Sequence, residues 1–133
     1  MLQNEAVSIG PITLVGVDDR TAVQMNREQP VREKAILAKV PRDRFTLFLK
    51  HQPRIDRSTV GLFDLQISGH THKGQIFPFT LLTLLTFPMN GGTHDLGSGS
   101  LLHVSRGTGT WGPPVRFLSP PEVTIIELVR KAS

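Results

Sequence analysis

The chain has 133 residues, 38% of them hydrophobic and 20% charged, which is enough for one core and excludes a disordered chain. Its formal charge of +4 and pI near 10.1 suit an anionic partner. However, the basic residues Arg27, Arg32, Lys34, Lys39, Arg42, Arg44 and Lys50 are scattered and there is no Tyr to stack bases, so no nucleic acid partner is expected. Without Cys there is no disulfide, thiolate site or cysteine nucleophile, and any metal must sit on nitrogen and oxygen ligands.

The start Met1-Leu2-Gln3-Asn4-Glu5 lacks the basic and apolar parts of a secretory signal, so the expected location is the cytoplasm or the periphery of an inner membrane. Ala6 to Ile9 alternates weakly and meets Gly10-Pro11, which predicts a hairpin with the β-branched strand Ile12 to Val17. Asp18-Asp19 ends that strand. Pro30 to Ala38 carries good helix formers behind a starting Pro and predicts a helix that ends before Pro41. Thr46 to Leu49 reads as a strand that delivers His51, stopped by Pro53, and Asp64 to Ser68 reads as another that delivers His70 and His72. A short helix in Asp56 to Phe63 would make these two strands parallel neighbours, with both histidine loops on one sheet edge.

Ile76 to Met89 carries no charge, is bracketed by Pro78 and Pro88, and is too short to span a bilayer. It is expected to be buried or interfacial, with Leu81, Leu82, Leu84 and Leu85 against a core or partner and Phe77 to Phe87 open to contact with a membrane surface. Asn90 to Ser100 reads as a Gly/Ser-rich loop, Leu101 to Ser105 as a strand, and Glu122 to Val129 as a last strand. No repeat or linker interrupts residues 1–133, which are read as a single domain.

The chemistry is concentrated in the histidines. Two imidazoles at i and i+2 between glycines do not suit a core, because a buried ring needs partners for both nitrogens and glycine opens the backbone. With a third at a neighbouring strand end, His51, His70 and His72 form a candidate cluster of neutral nitrogen ligands for Zn, Mn or Fe. His94 is expected in solvent and His103 as a satisfied structural histidine. Arg106, in the turn Ser105 to Gly109, could hold a phosphate through a bidentate contact, and Trp111 could line a pocket or pin a loop.

Gly69-His70-Thr71-His72 is similar to the closing Gly-His-X-His motif of the calcineurin-like metallophosphoesterases, and Leu49-Lys50-His51-Gln52-Pro53 resembles their upstream single-His motif. Gly16-Val17-Asp18-Asp19, Val104 to Gly109, Pro114-Val115-Arg116 and Pro121-Glu122 resemble one bacterial branch, often membrane-associated. The resemblance implies an α+β fold, a mixed sheet with few short helices, as the carboxyl-terminal half of an α/β/β/α sandwich. It also implies that His51 and His70 ligate one divalent ion and His72 a second. Two such ions about 4 Å apart activate water for phosphomonoester or phosphodiester hydrolysis. Lys73 stands where the family commonly has Gly, either adding charge near the phosphate or tolerating a turn, the turn being preferred.

The family's Asp-X-His, Gly-Asp and Gly-Asn-His motifs are absent from residues 1–133. Three neutral imidazoles cannot offset the repulsion between two divalent ions, so carboxylates are required. Asp18 and Asp19 are the best local substitutes, ahead of Asp56, Asp64 and Asp95. The expectation is a phosphoesterase fragment, inactive alone, with a phosphate-ester substrate, and either a missing amino-terminal half or self-association. The alternative is a non-catalytic metal-binding or interaction module.

Overall fold

The computed structural model describes residues 2–19 and 33–129. It forms a six-stranded mixed sheet with few short helices, the α+β class expected. Strands β1 (Glu5–Ile9), β2 (Ile12–Gly16), β3 (Phe45–Leu49), β4 (Leu65–Ser68), β5 (Gly92–Gly97) and β6 (Ser100–Val104) lie in the order β1-β2-β3-β4-β6-β5. The inner four run parallel, and the hairpins β1–β2 and β5–β6 add antiparallel edges. Because β3 and β4 are parallel, the segments that follow both leave the sheet at its carboxyl edge, where open α/β sheets place ligands.

Side chains alternate across the ladder, and the two faces differ. One face buries Val15, Phe48, Leu102 and Val104 with the polar Thr13, Thr46, Gln66, Ser68 and Ser100. Helix α1 (Glu33–Leu37) supplies Leu37 to this side, and Val40 and Phe63 complete the core with the Phe48 and Phe63 rings 5.4 Å apart. Lys50 fastens the layer: its Nζ donates to Glu33 at 2.7 Å and to the Arg54 carbonyl at 2.6 Å, with both charged side chains buried. The opposite face holds Leu65 and His103 buried, Leu14, Leu47, Leu49 and Ile67 half-buried and Leu101 exposed.

Several expectations are corrected. Of the helix expected over Pro30 to Ala38 the described part is Glu33–Leu37, and positions 30–32 of that expectation lie outside the described residues. The helix between β3 and β4 is a single 3₁₀ turn, Arg57–Thr59, capped by the Asp56 carboxylate on the Ser58 N–H at 2.9 Å. Asn90 to Ser100 is not all loop: β5 pairs with β6 around Gly97-Ser98-Gly99, because an edge ladder overrides the poor strand propensity of its glycines. Glu122 to Val129 joins no ladder among the described residues, since alternation makes a strand only when a partner edge is within reach.

Helix α2 (Phe79–Thr86) occupies the uncharged segment and removes the buried alternative expected for it, leaving the interfacial one: Leu81, Leu82 and Leu85 are 57%, 60% and 82% exposed. Among the described residues no helix is long and apolar enough to cross a membrane.

Candidate functional site

β3 and β4 end one residue apart in register, and two backbone bonds carry the pairing past the strands: Lys50 N–H to the Ile67 carbonyl at 3.1 Å and Gly69 N–H to the His51 carbonyl at 3.0 Å. The extension sets His51 beside the Gly69-His70 corner. His51 Nε2 and His70 Nδ1 stand 3.0 Å apart, with ring centroids 4.8 Å apart and planes at 79°. Two nitrogens held at about 2.1 Å by one ion, at near a right angle, are themselves about 3 Å apart, so the spacing suits adjacent ligands. The Phe87 ring packs edge-on to His70 at 5.5 Å, and the Arg54 guanidinium lies 5.0 Å over Phe87.

The His-X-His loop follows a tight path. His70, His72, Lys73 and Gln75 all have positive φ, between 45° and 69°, a cluster of left-handed non-glycine residues that costs conformational energy and must be held in place. The restraints are visible. Thr71 Oγ1 donates to the Asn90 carbonyl at 3.1 Å, and Ser119 Oγ donates to the His72 carbonyl at 2.6 Å. The Gln75 amide donates to the carbonyls of Trp111 and Pro113, at 2.8 and 3.1 Å, and accepts from the Trp111 N–H at 2.5 Å.

Arg116 donates to His72 Nδ1 at 3.1 Å while also holding the carbonyls of Arg106, Gly107, Gly109 and Ser119. A guanidinium donor on Nδ1 fixes the neutral His72 with its proton on Nε2. Burial first, and then the Arg116 charge, lower the His72 pKa below its ordinary 6.5. Burial first, and then repulsion from His51, lower that of His70, against the opposing Asp19 carboxylate. Both shifts favour the neutral ring, which a metal ligand needs, although the lone pair of His72 Nδ1 is held by Arg116.

His51, His70 and His72 line one cleft of about 730 Å³. As a ligand set they are incomplete: among the described residues no three His, Asp or Glu side chains converge as a metal group. His51 and His70 fit one ion, whereas His72 Nδ1 is engaged by Arg116. Of the two acids, Asp18 is tied to Asn4, accepting from its amide at 2.6 Å and donating its N–H to Asn4 Oδ1 at 3.1 Å. Asp19 accepts from Gln52 at 3.1 Å and acts on His70 electrostatically, so it is the acid nearer the imidazole pair.

Arg106 donates Nε to Glu122 at 2.5 Å, and the Thr124 hydroxyl first, then Arg106, holds the Glu122 carboxyl below its ordinary range. Lys73 adopts the turn conformation, and its stem lies against Gly91. His94 is half-buried on β5 and not in a loop, its Nε2 3.0 Å from the Gly91 carbonyl. His103 is buried between Thr93 Oγ1 at 2.9 Å and Thr124 Oγ1 at 3.3 Å, a satisfied structural histidine. Reading the sequence assigned no role to Arg116 or Gln75. Their signal was their neighbours: Arg116 follows a Pro-Pro corner and Gln75 follows the histidine motif, but the contacts span 44 and 36 residues.

A protein of Aquifex aeolicus named an uncharacterized metallophosphoesterase is 38% identical over 136 residues, taking in 100% of this chain and 52% of the relative. A Helicobacter pylori protein of the same name is 41% identical over 133 residues, 98% of this chain and 36% of the relative. A Bos taurus protein named a transmembrane protein with metallophosphoesterase domain is 35% identical over 118 residues, 85% of this chain and 26% of the relative. The chain thus spans about half the length of the first relative and about a third of the second. No family model matches the chain, and no solved structure matches it.

Proposed function

Because the chain belongs to the metallophosphoesterases, we propose that it supplies the histidine side of a metal-dependent site for hydrolysis of phosphate esters, the remaining ligands coming from polypeptide outside this sequence. The observation that carries this is the 3.0 Å approach of His51 Nε2 to His70 Nδ1 at the carboxyl edge of two parallel strands, with His72 in the same cleft. Divalent Mn, Fe or Zn ions, two in the complete site, would supply an activated water and neutralise phosphate oxygens. His51 and His70 would hold one ion, and His72 the other through Nδ1, once that nitrogen is released by Arg116. Arg116 orients that ring, and Asp19 is the local carboxylate nearest the pair. Lys73 and Arg106 stand second as phosphate contacts, Arg106 only on release from Glu122.

The expected outcome for the chain alone is weak Mn binding by calorimetry, lost in His51→Ala, and no useful turnover of bis(p-nitrophenyl) phosphate. Robust turnover by the isolated chain would overturn the incompleteness of the site, and Mn affinity unaffected by His51→Ala would overturn the ligand assignment. In-frame Asp-X-His and Gly-Asn-His codons upstream of Met1 would identify the polypeptide that completes it.

Two features support a partner layer. The half-buried part of the face around Leu14, Leu47, Leu49 and Ile67 is apolar, and Glu122 to Val129 has strand alternation but joins no ladder among the described residues, with Val123, Ile125 and Val129 80%, 91% and 78% exposed. A missing half of the same polypeptide would cover the face and pair the segment. Without it, a second copy is the available substitute.

A further inference from the structure

The cleft lining comprises two chemically different sets of side chains, a histidine wall of His51, His70 and His72 and an apolar wall of Ile76, Phe79, Leu82, Phe87, Trp111 and Pro113, which meet where Phe87 packs on His70. The uncharged polar Thr71, Gln75 and Thr83 complete the lining. Phe79, Leu82 and Trp111 are 58%, 60% and 79% exposed, and α2 has no charged residue along its whole length. A small polar phosphate ester would engage the histidine wall and leave the apolar wall in water. Nothing in its chemistry would use that surface, and apolar surface of this kind, rimmed by polar groups, marks a binding site.

Two guanidinium groups adjoin the lining: Arg116 touches His72, and Arg54 lies over Phe87, the ring that packs on His70. Imidazoles with cationic groups close behind the lining, next to an apolar trough, complement an anionic head with an apolar tail. The volume, about 730 Å³, is within the usual range for a small-molecule site. From this two-walled cleft we infer that the substrate class is an amphiphilic phosphate ester, its phosphate at the histidines and its alkyl chain along Phe79 and Leu82 of α2. This rests on the histidines being the phosphate side of the site, as proposed above.

Trp111 is the only Trp and there is no Tyr, so intrinsic emission reports on the cleft directly. The full chain with Mn is titrated with dodecyl phosphate, ethyl phosphate and neutral dodecyl maltoside, each below its micelle concentration, ethyl phosphate being read by competition. Dodecyl phosphate is expected to shift the emission to the blue and to bind tighter than ethyl phosphate by on the order of a hundredfold, since each buried methylene adds to affinity. Leu82→Asp and Phe79→Ser, both at exposed positions where the core is not disturbed, are each expected to bring dodecyl phosphate down to the ethyl phosphate level.

Equal affinity for dodecyl and ethyl phosphate would overturn the inference and leave the histidine reading standing. Equal affinity for dodecyl phosphate and dodecyl maltoside would remove phosphate recognition, and both readings with it. Unchanged dodecyl phosphate binding in both variants would also overturn the inference. Phosphatidylcholine vesicles with and without phosphatidic acid identify the source: a Trp111 shift only with phosphatidic acid supports a membrane-resident ester, and a shift only with the dissolved amphiphile supports a soluble one.

Discussion

Gly74 has φ +77°, and a Cβ there would fall 2.3 Å from Thr80 Cα and 2.6 Å from Thr80 N, atoms that cannot move without unseating the start of α2. Gly74→Ala is therefore expected to cost about 2–5 kcal/mol, from left-handed strain plus overpacking, measured as a drop in urea midpoint. Lys73, one residue earlier at φ +51°, behaves in the opposite way. Lys73→Gly relieves strain at some cost in chain entropy and should be neutral or stabilising by up to about 1 kcal/mol. A clear loss of stability would mean that the lysine side chain itself holds the loop. The histidines add a pH dependence. His70 and His72 have folded pKa values below their ordinary 6.5, so the unfolded chain takes up protons first as pH falls. Their contribution is complete above pH 6.5 and is lost as pH drops through the lowered values. The metal-free chain should lose stability on mild acidification, and His51→Ala, which removes one source of repulsion, should raise the His70 pKa by NMR titration.

At the element scale, α1 is tied to β3 by Lys50 and Glu33 as well as by packing. A buried ion pair contributes little net stability, but breaking it strands a charge in a low-dielectric layer. Lys50→Met alone should destabilise by about 3–5 kcal/mol, and Lys50→Met with Glu33→Leu should recover most of that loss, compared by denaturant unfolding. Equal loss in the single and double variants would show that the pair acts through shape and not charge. Since His51 follows Lys50 directly, this anchor also fixes the root of the imidazole pair. The crossover from β3 to β4 shows how little secondary structure the site needs: one 3₁₀ turn suffices, because register is set by the parallel ladder.

Across the whole molecule, one sheet face is packed and the other is half-open. Sedimentation at rising concentration should show self-association, and Leu47→Glu, on the open face and half-buried, should shift the distribution toward monomer while leaving the packed core intact. A strictly monomeric wild-type chain at high concentration would count against the partner layer. Among the described residues the open face, the segment after Glu122 that joins no ladder and the incomplete ligand set share a physical form: each is what the proposed partner layer would complete.

The short apolar runs around Val15, Phe48 and Ile67 and the placement of His51, His70 and His72 after two of them determined the strands and the candidate chemistry, because alternation and strand-ending residues are local properties. The 3.0 Å imidazole contact, the Arg116 hold on His72 and the approach of Asp19 to His70 were decided only by the tertiary structure, since they join residues 19, 44 and 51 positions apart along the chain. The same holds for β5 and for Glu122 to Val129. Pairing made a strand of a glycine-rich run, and the lack of a partner edge among the described residues denied one to a well-patterned segment, because a strand is completed by hydrogen bonds to another segment and not by its own sequence.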